Sequence, residues 1–359
     1  MKSSQTMKLS IIIPVYHVAP YIEDCLRSVM RQTYQGAMEC LIVDDCGTDD
    51  SMAIAERVIA SYEGPIVFQI LHHEWNRGLS AARNTGTLAA KGDYLYYLDS
   101  DDVITEDCIA LLMAMAEEYP EAELVQGNCC FHTLTGETVV PIKQYALAVA
   151  SSNNEVRECY YRQTNVALWN KLIRRDFLID HRLFNKEGII FEDQLWIFYL
   201  LKYLSKVCFV STITYHQKKR PLSITTGTGR ATKAHHYAIV YHDILSNLTP
   251  GHEQEEFSFY AKRFCSIFPG LFRYEPESKG VLLLCWNLSR QYGSGRLRFK
   301  LTVYRFLGSF KYGWVVVALW RRVKTPTIIL RDFKRIWRHL SVWLGLQKPT
   351  NLPMFRGTI

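Results

Sequence analysis

Asp93-Tyr-Leu-Tyr-Tyr-Leu-Asp-Ser-Asp-Asp102 is an apolar, aromatic run that ends in three aspartates within four positions. Asp93 to Leu98 reads as a buried strand, because aromatic side chains suit a pleated surface and the run is too short for a helix. The acids then lie at its carboxyl end. Upstream, Cys40-Leu-Ile-Val43 ends the same way at Asp44-Asp45, Leu9-Ser-Ile-Ile-Ile13 is stopped by Pro14, and Ile66 to Leu71 is a fourth strand-like run. Helical patterns separate them. Ile22, Cys25, Leu26 and Val29 share one face of Pro20 to Met30, and Ser51 to Tyr62 and the Ala/Leu-rich Gly78 to Ala90 follow. Thr105 to Tyr119 closes the series, with Thr105 the expected N-cap. Strand and helix alternating every ~30 residues predict an α/β fold, a mostly parallel sheet wound with helices. Ligands of such sheets bind at strand carboxyl ends, so the aspartates mark the expected site.

Composition divides the chain. The 359 residues hold 42 Lys+Arg and 35 Asp+Glu, a net charge of +7. Arg290 to Ile359 carries 15 Lys/Arg against one acid, Asp332, hence +14, which leaves −7 for the preceding 289 residues. At 48% apolar and 21% charged the chain is globular, with room for roughly two domains. Ten cysteines form no C-x-x-C pair. Cys129-Cys130 are adjacent and others, such as Cys40 and Cys208, sit in apolar runs, so reduced core thiols are expected. The polar Met1 to Gln5 does not read as a signal peptide, Met7 is an alternative start, and no apolar run reaches the ~18 residues of a transmembrane helix.

No G-x-G-x-x-G follows the first strand and no G-x-x-x-x-G-K-[ST] occurs, which argues against a dinucleotide dehydrogenase and a P-loop NTPase. Carboxylate takes their place. A D-x-D at a strand end can hold Mg2+ or Mn2+ whose other ligands are diphosphate oxygens. The competing reading is a solvated acidic turn.

IIIPVY at 11–16, LIVDDCGTDDS at 41–51, NRGLSAARNTG at 76–86, YYLDSDD at 96–102 and FEDQLW at 191–196 together resemble the family 2 glycosyltransferases of GT-A fold, over roughly residues 8–225. One departure is Cys46-Gly47, where the family usually reads Gly-Ser. The resemblance implies an inverting transfer of a sugar from a nucleotide-diphosphate donor to a hydroxyl. Pro14, Val15 and Tyr16 would line the base pocket, Asp45 would accept from the base, expected to be uracil, and Asp44 would support the turn. Arg83, near the N-terminal end of its helix, would meet the diphosphate. Asp99, with Ser100, would contact the ribose or donor sugar, Asp101 would be the principal metal ligand, and Asp102 a supporting or capping residue. Asp193 would be the general base, its pKa raised by apolar neighbours, with Glu192 beside it. In the W-N-K segment, Lys171 would reach phosphate or acceptor, and Trp169 would stack on a sugar or pack in the core. His216 and Arg220, in the basic loop after the last strand, are candidates for the donor phosphates. His72-His73 and His235-His236 show no zinc-site spacing.

Residues 226–290 read as an amphipathic helical extension, broken at Pro250-Gly251 and Pro269-Gly270. Residues 291–359 form the basic tail. Apolar residues at 329, 330, 333, 336, 337, 340, 343 and 344 share one helical face, with Arg331, Lys334, Arg335, Arg338 and His339 opposite. Trp337 and Trp343 on the apolar face suit a helix lying in lipid headgroups. The expected partners are therefore a nucleotide-sugar donor, a glycan or lipid-linked acceptor in surface-polysaccharide assembly and an anionic membrane surface. A cytoplasmic enzyme peripheral to the inner face of the plasma membrane follows. Nucleic acid is not expected, since no recognised binding fold is present. The rival readings are a sugar-nucleotide pyrophosphorylase, whose Gly-rich loop is replaced here by Pro-Val-Tyr-His, and an inactive membrane-bound scaffold.

Overall fold

The computed structural model describes residues 8–304, apart from 134, 136–137, 140–146, 163–165, 221–222, 224–226, 272–277, 296, 299–300 and 303. The amphipathic stretch at 329–344 and most of the segment 221–226 lie outside the described residues.

Four parallel strands open the chain: β1 (Leu9–Val15), β2 (Met38–Asp44), β3 (Val67–His72) and β4 (Tyr94–Tyr97), in the spatial order β3-β2-β1-β4. Helices α1 (Ile22–Met30), α2 (Ser51–Ala60) and α3 (Leu79–Ala89) make the crossovers. β1 and β2 are near-continuous Ile/Leu/Val runs because helices cover both faces of this part of the sheet. β5 (Val103–Ile104) and α4 (Cys108–Glu118) follow. Asp107, rather than Thr105, is the residue before that helix, and the Thr105 hydroxyl donates to Asp107 Oδ1 at 2.6 Å instead of capping.

The second half extends the same sheet, giving β3-β2-β1-β4-β9-β6-β10-β5. β6 is Leu124–His132, β9 Lys171–Arg174 and β10 Val207–Lys218. The short β7 (Thr138–Val139) and β8 (Val149–Ala150) flank β6 and β10. β9 runs antiparallel to both β4 and β6, while β6 and β10 run parallel. The sheet is therefore mixed, and the strand after Trp169-Asn170 is wedged at its centre. Helices α5 (Asn153–Arg162), α6 (Arg175–Asp180) and α7 (Glu192–Leu200) complete this half.

Three longer helices, Arg230–Ser246, Glu253–Leu271 and Ser278–Tyr292, form the extension. The chain breaks at Gly251, whose φ of +84° suits a residue without Cβ. The second expected break falls at the end of the middle helix, which runs to Leu271, one residue past Pro269-Gly270, before the next helix starts at Ser278. Pro269 has no N–H for the carbonyl four residues earlier, and the Tyr304 hydroxyl donates to that Cys265 carbonyl instead, at 3.3 Å. Leu195 and Phe198 of α7 share one apolar cluster with Tyr241, Phe257, Phe264 and Cys285 of the extension. An ion pair between Arg157 of α5 and Glu256, both fully buried, crosses the same boundary. All ten cysteines are free thiols, as expected.

Candidate functional site

The site lies at the carboxyl ends of β1, β2, β4 and β10, where Asp44-Asp45, Asp99 to Asp102 and the head of α7 converge. At the first cluster the two aspartates divide their work. Asp45 is 2% exposed. Its carboxylate accepts from Arg77 N, Gly78 N, Asn76 Nδ2 and His73 Nδ1, at 2.8, 2.8, 2.9 and 2.7 Å. Four donors fill the lone-pair directions of a carboxylate, so the residue expected to meet a base is already taken up in holding the turn that starts α3. Asp44 is the more open of the pair. It accepts from Cys46 N at 3.1 Å and lies 3.0 Å from His72 Nδ1. Cys46, at the family's usual glycine, keeps a φ of +57°, and its thiol donates to the His73 carbonyl at 2.7 Å, so the turn survives the substitution. His72 lies against Asp44, which β2 and β3 pair with it in register, and His73 against Asp45.

Pro14 and Val15 end β1, and the Val15 carbonyl accepts from Asp45 N at 3.0 Å. Tyr16 follows, 44% exposed, its ring stacked on His17 at 4.1 Å. It offers a flat face to solvent.

Arg83 does not face solvent. It is 1% exposed and donates to Asp99 Oδ1 and Glu192 Oε1, both at 2.8 Å, and to Asp193 Oδ1 at 3.3 Å. Its Nε has no partner among the described residues. Burial works against its charge, but Asp99, Asp193 and Glu192 more than offset this and raise its pKa. Arg83 thus forms a clamp joining β4's end to the head of α7.

The D-x-D cluster is compact, with carboxylate oxygens of Asp99, Asp101 and Asp102 all within 4.8 Å of one another. Each has a counterpart. Asp99 takes Arg83, Asp101 takes the Arg220 guanidinium, and buried Asp102 accepts from Tyr215 Oη at 2.7 Å and Lys218 N at 2.8 Å. Burial, then the mutual repulsion of the aspartates, raises the pKa values of Asp101 and Asp102. Arg220 also packs against the Tyr21 ring, 5.7 Å from its centroid. Ser100 is buried between the acids.

Glu192 and Asp193 head α7, after Phe191 in the left-handed region at φ +66°. Non-glycine residues there are strained. The extension holds this corner: Tyr237 stacks on Phe191 at 3.9 Å, and Ile190 N donates to His236 Nδ1 at 3.2 Å. Asp193 is the more accessible acid, its side chain 26% exposed against 8% for Glu192. Burial, followed by the charge of Asp193, lifts Glu192 to about 7, against the pull of Arg83. Burial likewise raises the pKa of Asp193, with Arg83 opposing. Lys171 is fully buried. Its ammonium donates to the Ala167 carbonyl, and burial brings its pKa down to about 7 although Asp193 favours its charge. Trp169 is core, stacked 4.4 Å from Tyr215, the residue that holds Asp102. His216 points away from the acids into a contact with Cys130 and His132 that spacing alone did not signal.

Residues 10–181 match the family model described as Glycosyl transferase family 2. The putative glycosyltransferase EpsH of Bacillus subtilis is 30% identical over 217 residues, 60% of this chain and 61% of that protein. The chain thus spans less than two thirds of this relative's length. Among solved structures, S. aureus TarS 1-349 in complex with UDP-GlcNAc superposes with a TM-score of 0.63 at 20% identity, over 84% of this chain and 92% of that one. The mannosyltransferase PcManGT from Pyrobaculum calidifontis, in complex with GDP-Man and Mn2+, gives 0.53 at 14% identity, over 89% of each chain. At these identities the structural likeness speaks for the fold.

Proposed function

We propose that the protein is a glycosyltransferase of family 2, with the GT-A fold, and that it transfers a sugar from a UDP-sugar to a hydroxyl, with inversion. The acceptor in this reading is a glycan or lipid-linked glycan of a surface polysaccharide. The observation that carries it is the Arg83 clamp, which draws Asp99 of the D-x-D and the two acids of α7 around one guanidinium. In this reading donor-side and acceptor-side chemistry meet around that one guanidinium.

Asp193 takes the proton from the attacking hydroxyl. It is the more exposed of the acid pair, and a carboxylate whose pKa is raised by burial is a stronger base. The neighbouring Lys171 favours its ionised form. Asp44, rather than Asp45, accepts from the imide N–H of the base, since Asp45 is saturated by the 73–78 turn. The exposed Tyr16 ring supplies a stacking face beside it. Arg220, on a segment next to the acids, is placed to leave Asp101 for a diphosphate.

The donor set fits a hard divalent cation, Mg2+ or Mn2+. Its ligands are carboxylate oxygens, gathered closely enough for one ion, and Asp99 and Asp101 would hold it. When bound, the ion neutralises charge that develops on the departing diphosphate. Residues 226–290 would act as a positioning extension for α7. The basic tail would attach the enzyme to anionic lipid; no helix among the described residues is long and apolar enough to cross a membrane.

The test is a panel of nucleotide sugars scored for stabilisation that requires Mg2+ or Mn2+, then for slow donor hydrolysis. One nucleotide class should raise Tm only with metal and release its diphosphate. Stabilisation by none of the panel would overturn the reading.

A further inference from the structure

Away from the aspartates, three ligating atoms converge at the ends of β6 and β10. Cys130 Sγ lies 3.0 Å from His216 Nδ1 and 3.4 Å from His132 Nε2, and the two imidazole nitrogens are 3.0 Å apart. The strand register makes this cluster. Cys130 and His132 are two residues apart on β6 and so share a face, while His216 of β10 pairs with Cys130. Cys130 is buried and the two histidines are half-buried.

Hydrogen bonding does not account for the triangle. Nδ1 of a neutral imidazole has either one proton or one lone pair, yet His216 Nδ1 faces two polar atoms at 3.0 Å. We infer that Cys130, His132 and His216 form a site for a borderline-soft divalent cation of the Zn2+ class, with a fourth position left for water or another ligand. In a tetrahedral zinc site with ordinary bond lengths, ligand atoms stand about 3.3–3.6 Å apart. The observed edges of 3.0, 3.0 and 3.4 Å need only a small outward relaxation. The outer shell is present as well. Thr138 Oγ1 lies 3.2 Å from His132 Nδ1, so it fixes the ring with Nε2 toward the cluster. The ammonium of Lys218, opposite His132 in the register, is turned onto Asp24 at 3.0 Å. On binding, Cys130 gives up its thiol proton to solvent.

This thiolate–imidazole set and the carboxylates differ in hardness, so two metals can be bound without exchange. The site also has a structural consequence. It bridges β6 to the stretch of β10 whose Tyr215 and Lys218 hold Asp102, and would stiffen the floor of the D-x-D cluster.

Co2+ titration of the full chain in excess Mg2+ tests this without any appeal to activity. The expected result is a single equivalent of Co2+ with thiolate-to-metal absorption in the near ultraviolet, displaced by Zn2+, and a raised Tm with Zn2+. Cys130→Ser should abolish the absorption and His132→Ala should weaken Zn2+ binding severely. Thr138→Val should weaken it by about 10-fold. Asp101→Asn should leave the spectrum unchanged, and it keeps the experiment decisive if a cluster variant folds poorly. Failure of the wild-type chain to bind stoichiometric Zn2+, or absorption lost in Asp101→Asn and kept in Cys130→Ser, overturns the inference.

Discussion

Replacing Arg83 with methionine should cost about 3–5 kcal/mol of stability in the absence of any ligand. The guanidinium serves Asp99, Glu192 and Asp193 at 2.8, 2.8 and 3.3 Å, inside the protein. At an effective dielectric of ~20, each such pair is worth about 4 kcal/mol, or ~12 kcal/mol gross. Two effects reduce this. The arginine no longer has to be desolvated, which returns several kcal/mol. The acids can also relieve their repulsion by taking a proton, and because Glu192 already titrates at about 7, protonating it at pH 8 costs only ~1.4 kcal/mol. That escape caps the loss, and it predicts a pH dependence. At pH 5.5 Glu192 is protonated in the wild type too, so Arg83→Met should be less destabilising there by about 1–2 kcal/mol. Urea unfolding followed by tryptophan fluorescence at both pH values measures the difference, with the m-value unchanged. A loss below ~1 kcal/mol, or one independent of pH, refutes the clamp. An arginine kept only for a substrate phosphate would give that outcome, or even a gain.

Four further outcomes follow from the same geometry. Asp193→Asn should lower kcat by about 10²–10⁴-fold with nucleotide affinity retained, and near-normal turnover would end the assignment of the base. Because Asp193 must be ionised and its pKa is raised by burial, kcat/KM should climb with pH through a limb above the ordinary aspartate range; a pH-flat profile from pH 5 to 8 at constant metal contradicts this. For Glu192 the folded pKa of about 7 lies above its ordinary 4.5, so its contribution to stability is greatest below pH 4.5 and is lost as pH rises through 7. The swing is about 3 kcal/mol, and Glu192→Gln should abolish it in pH-dependent unfolding. Removing residues 305–359 should abolish sedimentation with anionic vesicles, and in the intact chain the same binding should fall steeply with added salt.

What the sequence disclosed was local. Apolar runs ending on acids located β1, β2 and β4 to within a few residues, because those strands are buried on both faces and punctuated by Pro14 or aspartates. Partners far along the chain were not legible. Asp45 read as a ligand-facing acid because its four donors, at 73 to 78, are set by a turn that periodicity does not describe. Arg83 read as a phosphate ligand because the acids it holds are 109 and 110 residues away on α7. The β9 strand has only four residues, and its antiparallel place between β4 and β6 follows from the sheet rather than from its own pattern. Cys130 and His216 are 86 residues apart and meet only through the β6–β10 register.

The Arg157–Glu256 pair has a bearing on how such chains can be recombined. Related chains that exchanged everything after the sheet would inherit a buried guanidinium without its acid, together with Leu195 and Phe198 stripped of their cover. A graft at residue 225 would therefore carry a heavy penalty unless position 157 changed with it. The practical seam for shuffling runs through α5 and α7, inside what the linear sequence presents as the catalytic half, so a new extension is inherited together with the head of the helix that carries the proposed base.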